Sequence, residues 1–238
     1  MKAAGKKKPA PASPVTPAAP ARRRIMIVDD HPFMRAGLAQ LIDRQTDLQV
    51  CAEAANPAEA LQRLATGGID LVLADMTMPG RSGLDFLKDI VALHPGLPVL
   101  VVSMHDELVY AERALRAGAR GYIMKEAGGE NLLAAIRQIF GGLVYVSPRM
   151  SALLLDSFSG RKTRDAESPF GKLTDREFEI FQLIGRGRGT REIAQQLGLS
   201  TKTVDVHRAN IKAKLDLKDT PALVRHAVRW VETQGAAG

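Results

Sequence analysis

A sheet of five parallel strands wound with helices, followed by an all-helical unit, is the fold this sequence predicts, and three observations predict it. Between Ile25 and Gly142 short apolar runs alternate five times with amphipathic stretches, the pattern of a parallel sheet covered by helices on both faces. From Leu173 onward the apolar spacing is helical throughout. The length, 238 residues, exceeds the usual single domain and suits two compact units, each able to bury a core.

The elements follow in order. The strands are read in "IMIV", "LQVCAEA", "DLVLAD", "LPVLVVSM" and "GYIM". The helices between and after them are read in "PFMRAGLAQLID", "PAEALQRLAT", "GLDFLKDIVAL", "ELVYAERALRAG" and "NLLAAIRQIFGG". Residues 1–24 are rich in Pro, Ala and Lys with almost no large apolar side chain, so they read as a disordered, partly extended tail. After "VYVSP", the stretch "RMSALLLDSF" reads as a short helix and the polar run from Ser157 to Lys172 as a linker. The predicted organisation is a tail at 1–24, a sheet domain at 25–146, a joining stretch at 147–172 and a helical domain at 173–238. No internal repeat is visible.

Charge separates the two units. The tail carries seven basic residues and no acid, which equals the +7 of the whole chain. Residues 25–146 hold 10 basic and 15 acidic residues, and residues 170–238 hold 12 basic and 8 acidic. An acidic first domain and a basic second one predict different partners, with nucleic acid for the second. The single cysteine, Cys51, excludes an internal disulfide and reads as a reduced, buried thiol. No run approaches a membrane helix and the basic start lacks the apolar stretch of an export signal, so a cytoplasmic protein without a membrane partner is expected.

In a doubly wound sheet the residues just after each strand converge on one crevice. Those positions hold Asp29 and Asp30, Asp75, Ser103 and Lys125. Carboxylates this close repel, and hard oxygen donors in this number suit Mg²⁺. Each residue alone has a structural reading: Asp30 can cap the helix at Pro32, Asp75 can open an Asx turn, and Lys125 can be surface. All five together at strand ends favour chemistry.

The motifs "IVDDHP", "DLVLADMTMPGRSG", "VVSMHD" and "GYIMKEA", in that order, resemble the flavodoxin-like receiver domain of two-component response regulators, from about Ile25 to Val146. The resemblance implies that Asp75 accepts a phosphoryl group from a sensor histidine kinase. It implies that Asp29 and Asp30 hold Mg²⁺ with Asp75 and the Thr77 carbonyl, that Lys125 pairs with the phosphate, and that Ser103 and Tyr122 form the switch. The chemistry agrees, since phosphoryl transfer needs a carboxylate nucleophile, a metal to neutralise charge and a cation on the transferred oxygens. On this reading the chain is a phosphoacceptor rather than an enzyme. The rival is an aspartyl-phosphate-forming phosphatase of the haloacid dehalogenase type, which wants a general acid two positions after the nucleophile. There this chain has Thr77, whose hydroxyl cannot serve near neutral pH.

In the second unit Thr174 and Glu177 form a capping-box pattern ahead of a helix with Phe178, Phe181 and Ile184. "TREIAQQLGLSTKTVDVHRANIKAKL" then gives a helix, a turn at Gly198 and Leu199, and a second helix capped by Ser200, a helix-turn-helix signature. It resembles the DNA-binding domain of the LuxR and NarL/FixJ type over about Leu173 to Val231. At 100° per residue, Val204, Ile211 and Leu215 face inward. Lys202, Asp205, Val206 and Ala209 lie opposite, with Thr203 and Asn210 at one edge, so these read as base-facing. Val206 suits a thymine methyl and Asp205 a cytosine amino group. Arg208 and Lys212 suit phosphates of double-stranded DNA. The resemblance implies a transcription regulator that is freed and dimerises when phosphorylated, with RNA polymerase a candidate partner and the last helix, Pro221 to Trp230, a dimer surface.

Overall fold

The computed structural model describes residues 22–78, 82–158 and 169–235. The predicted tail before Arg22 and residues 159–168 of the predicted linker lie outside them. Five strands, β1 (Arg23–Val28), β2 (Leu48–Ala54), β3 (Leu71–Ala74), β4 (Val99–Ser103) and β5 (Gly121–Met124), form one parallel sheet in the order β2-β1-β3-β4-β5. The expected α/β architecture is therefore present. β1 begins two residues ahead of its apolar run, because the Arg24 amide donates to the Asp70 carboxylate at 2.8 Å and the Arg23 amide to the Asp47 carbonyl at 2.9 Å.

Alternate strand residues face opposite helical layers. Ile25, Ile27, Leu71, Leu73, Leu100, Val102 and Ile123 pack with α1 (Pro32–Asp43) and α5 (Gly129–Phe140). Met26, Val28, Val72, Ala74, Val101 and Tyr122 pack with α2 (Pro57–Leu64), α3 (Gly83–Leu93) and α4 (Glu107–Arg116). Both faces are covered, which is why these strands read as continuous apolar runs. Cys51, expected to be buried, is half-buried, since β2 is the edge strand beside β1.

At the opposite edge the chain turns back after α5. Tyr145 pairs with β5 in parallel: the Tyr122 amide donates to the Tyr145 carbonyl and the Tyr145 amide to Arg120, both at 3.0 Å. Gly121 is required there, because a Cβ on it would lie 2.9 Å from the Tyr145 carbonyl oxygen. The short helix read from "RMSALLLDSF" is α6 (Pro148–Phe158), which opens on Ser147, whose hydroxyl accepts from the Met150 amide.

The second unit is helical, as expected: α7 (Asp175–Gly185), α8 (Thr190–Leu197), α9 (Thr201–Lys214) and α10 (Thr220–Gly235). The capping box at Thr174 and Glu177 is formed. Glu177 also accepts from Lys214 Nζ at 2.6 Å, tying the start of α7 to the end of α9. Burial alone would raise the Glu177 carboxyl; Lys214 and Thr174 outweigh it and hold it below the ordinary value. Within the stretch read as linker, a 3-10 turn at Pro169–Lys172 packs Phe170 against Phe178, Phe181 and Trp230. Among the described residues no helix is long and apolar enough to cross a membrane.

Candidate functional site

The crevice lies where the strand order reverses, between β1 and β3 at their carboxyl ends, the usual ligand site of such sheets. Asp29 directly follows β1 and Asp75 directly follows β3; each is 2% exposed. The Asp75 amide donates to the Val28 carbonyl at 2.8 Å and the Asp29 amide to the Ala54 carbonyl at 3.2 Å, so the sheet ladder itself aims both carboxylates outward.

Lys125, directly after β5, reaches both: its Nζ donates to Asp29 Oδ2 at 2.6 Å and to Asp75 Oδ2 at 2.8 Å. Burial by itself would depress the ammonium's pKa, but the two carboxylates outweigh it and the net shift is upward, so Lys125 stays charged. The Thr77 amide donates to Asp75 Oδ1 at 3.0 Å. This is the Asx turn expected of a structural aspartate, and it leaves Asp75 Oδ2 facing Lys125.

Asp30 does not cap α1. Its Oδ1 is buried, 2.8 Å from His31 Nδ1 yet without a well-aligned hydrogen bond. Asp29, Asp30, His31 and Asp75 each place a donor atom within 4.8 Å of the others. This oxygen-rich set, with one carboxylate oxygen unsatisfied, fits a hard cation such as Mg²⁺. His31 was not singled out from sequence, although its adjacency to the acidic pair was the available signal. Arg35, also missed, braces the corner by donating to the Asp29 carbonyl and lying 3.6 Å from Glu53 of β2.

Ser103 lies fully buried at the end of β4 but does not join the carboxylates; its hydroxyl accepts from the His105 amide at 3.1 Å. Tyr122 is likewise buried, and its hydroxyl donates to the His105 carbonyl at 2.7 Å. Burial, followed by nearby acids, pushes the Tyr122 phenol well above its ordinary value, so it remains a donor. The His105 ring stacks on Tyr110, which meets Phe178 of α7 edge-on, ring centroids 5.2 Å apart. A chain of contacts thus runs from the ends of β4 and β5 to the helical domain. Beside it lies a cavity of about 410 Å³ between the two domains, lined in part by Thr77, Tyr110 and Gln182, each of which has a buried polar atom without a hydrogen-bond partner.

The second candidate surface is α9. Lys202, Asp205, Val206, Ala209 and Asn210 are exposed and Thr203 is half-buried, while Val204 and Ile211 are buried against the domain. Ser200 caps the helix, accepting from the Thr203 amide at 3.0 Å, and Gly198 ends α8 in the left-handed region at φ 63°. Lys212 is half-buried at the flank. Arg208 is half-buried and turned toward α8, donating to Thr190 Oγ1 at 2.7 Å. The sheet domain does not cover the outward face of this helix.

Comparison with known proteins places a family on each of the two units. The response regulator receiver domain family matches residues 25–137, and the luxR family of bacterial regulatory proteins matches residues 171–227. The chain is 39% identical over 210 residues to the oxygen regulatory protein NreC of Staphylococcus carnosus, covering 87% of this chain and 97% of that one. It is similar in fold to RcsB of Salmonella enterica serovar Typhimurium bound to promoter rprA in the presence of phosphomimetic BeF3-, with a TM-score of 0.66, 22% identity and coverage of 87% and 99%. A LuxR-family two-component response regulator from Aurantimonas sp. SI85-9A1 is 35% identical over 56% of this chain and 94% of its own, with a TM-score of 0.53.

Proposed function

The chain belongs to the NarL/FixJ family of two-component response regulators, a receiver domain joined to a LuxR-type DNA-binding domain, and from that premise we propose which of its residues carry the signal and read the DNA. It is a phosphorylation-activated transcription regulator, and the phosphatase reading has no support among its relatives. We take the receiver as residues 25–146, the joining stretch as 147–172 and the DNA-binding domain as 173–238, after a basic tail at 1–24.

Asp75 is the phosphoacceptor. The observation that carries this is Lys125, which holds Asp75 Oδ2 and Asp29 Oδ2 together at the mouth of the sheet. A carboxylate so placed attacks phosphorus with one oxygen, the bond from phosphorus to the donor's phosphorylated nitrogen or oxygen breaking as the new P–O bond forms, while the Thr77 amide retains the other oxygen. Lys125 is then in reach of the transferred oxygens and supplies their counter-charge. Asp29, Asp30, Asp75 and the Thr77 carbonyl would hold Mg²⁺, which neutralises charge that develops on the phosphoryl group. Ser103 and Tyr122 form the switch, since both hydrogen-bond the backbone at His105 and any shift of that loop moves the ring lying on Tyr110.

The phosphodonor is a sensor histidine kinase in the cytoplasm, the readout is double-stranded DNA bound by a phosphorylated homodimer, and RNA polymerase is a further partner. Lys202, Thr203, Asp205, Val206, Ala209 and Asn210 face bases; Lys212 and Arg208 meet phosphates, Arg208 after leaving Thr190. The exposed outward face of α9 in the docked state modifies the idea that phosphorylation frees this domain: on this reading it assembles dimers rather than uncovering the helix.

The test is labelling by acetyl phosphate with Mg²⁺, read by intact mass. One phosphoryl group should be added to the parent protein and none to Asp75→Asn. A label persisting on that variant would assign the nucleophile elsewhere.

A further inference from the structure

We propose that Arg113 and Asp175 lock the DNA-binding domain onto the receiver in one orientation, so that these two residues set which spacing of DNA half-sites the protein accepts. This rests on the dimer reading above.

Arg113, on α4, spends its guanidinium on the other domain. Its Nη1 donates to Asp175 Oδ1 at 3.0 Å, and its Nη2 donates to the Leu173 carbonyl at 3.0 Å and to the Phe170 carbonyl. Lys88, on α3, donates to the other Asp175 oxygen at 2.7 Å. The guanidinium also lies over the Phe178 ring, 4.7 Å from its centroid, and the Arg113 side chain is 12% exposed. A single surface ion pair holds two bodies loosely. Here a planar fork meets a carboxylate, two carbonyls and a ring face from fixed directions, which leaves little freedom to slide or turn.

The same arrangement leaves the DNA-reading surface open. Val206 is 53% exposed, its neighbours Lys202, Asp205, Ala209 and Asn210 are exposed, and Val224 on α10 is also exposed. A contact whose purpose was to mask DNA binding would bury these residues. This one fixes where they point.

Where the dimer is held through its receivers rather than through the last helix, rigid attachment has a definite consequence. When two reading heads are joined stiffly, the second half-site adds affinity only where its distance and helical phase match the span, and adds nothing elsewhere. Joined loosely, they accept many spacings with a smaller gain at each.

The experiment uses the full chain, phosphorylated with acetyl phosphate and Mg²⁺, and duplexes carrying two copies of the half-site that the parent protein selects from randomised DNA, with spacers stepped by single base pairs over one helical turn. The parent should prefer one spacer by about 100-fold over the spacer half a turn away. Arg113→Met, which keeps the stem over Phe178, and Asp175→Asn should compress that ratio to about tenfold or less while binding a single half-site like the parent. If Arg113→Met proves unfolded by circular dichroism, Asp175→Asn decides alone, because its carboxylate is partly exposed and its loss leaves the helix intact. An unchanged spacer profile overturns the proposal. So does tighter binding of the unphosphorylated variants to a single half-site, which would make the contact a mask. A parent protein that occupies paired sites only as a monomer, by mass photometry, would sink the dimer reading itself and this inference with it.

Discussion

The His105 ring lies flat against Tyr110, centroids 4.5 Å apart and planes 12° from parallel, at the point where the receiver meets α7. Burial, reinforced by the charges of Arg186 and Lys125, lowers the His105 pKa to about 4. The unfolded chain protonates this imidazole near 6.5, the folded one only near 4. Its contribution is therefore complete above pH 6.5 and is lost progressively as pH falls toward 4, by about 3 kcal/mol at most. His105→Phe keeps the stack and removes the proton. Its thermal unfolding, followed by circular dichroism, should depend less on pH between 6.5 and 4 than that of the parent, and equal slopes would contradict this.

Lys125 compensates two carboxylates whose side chains are 3% and 1% exposed. Lys125→Met leaves them facing each other unneutralised, a loss of the kind that costs about 3 to 5 kcal/mol when a buried pair is broken. Mg²⁺ held by Asp29, Asp30 and Asp75 would restore part of that charge balance. The variant should unfold at a lower temperature than the parent in EDTA and gain more from added Mg²⁺. Equal Mg²⁺ shifts in both proteins would show that the cation binds away from this crevice.

Glu177 makes three contacts at once, to the Thr174 amide at 2.8 Å, from its own amide to the Thr174 hydroxyl at 3.3 Å, and to Lys214 at 2.6 Å. Glu177→Ala should destabilise the protein by about 1 to 3 kcal/mol through the lost cap and the unpaired partner. Because the folded carboxyl titrates below its ordinary 4.5, this stabilisation is present above pH 4.5 and disappears as pH falls through the folded value. Parent and variant stabilities should converge in acid, as measured by urea unfolding.

Asp205 and Lys212 should separate base reading from phosphate holding. A carboxylate set against guanine meets only acceptors, so Asp205 should favour cytosine at one position. Asp205→Ala should relax selectivity there by about 1 to 3 kcal/mol, whereas Lys212→Ala should weaken all sites alike and reduce the salt slope by about one unit. A selection over randomised operators reads both. Intact base preferences in Asp205→Ala would transfer specificity to Lys202, Val206 and Ala209.

The crevice was legible because its residues are set by position along single strands. Asp29, Asp75 and Lys125 each follow an apolar run, and a parallel sheet brings such positions together whatever the helices do, whereas Ser103, the last residue of β4, turns to the His105 backbone instead. The helix-turn-helix was legible from its caps at Thr174 and Ser200 and from the glycine at 198. The interdomain contacts were not. Arg113 and Asp175 are 62 positions apart on surfaces that each look like an ordinary solvated helix face, and no local pattern marks them as partners. His105 was likewise silent, since its role depends on a ring from α4 and a hydroxyl from β5.

The short run at Tyr145 determines where the receiver can be cut. A fragment ending at Phe140 would strip the backbone partners from Arg120 and Tyr122 and leave β5 as a bare strand that a second chain could extend. A fragment carried through Ser147 would keep that side sealed. The two truncations share every residue of the Asp29–Asp75–Lys125 crevice, yet the shorter one should clump at concentrations where the longer stays dispersed.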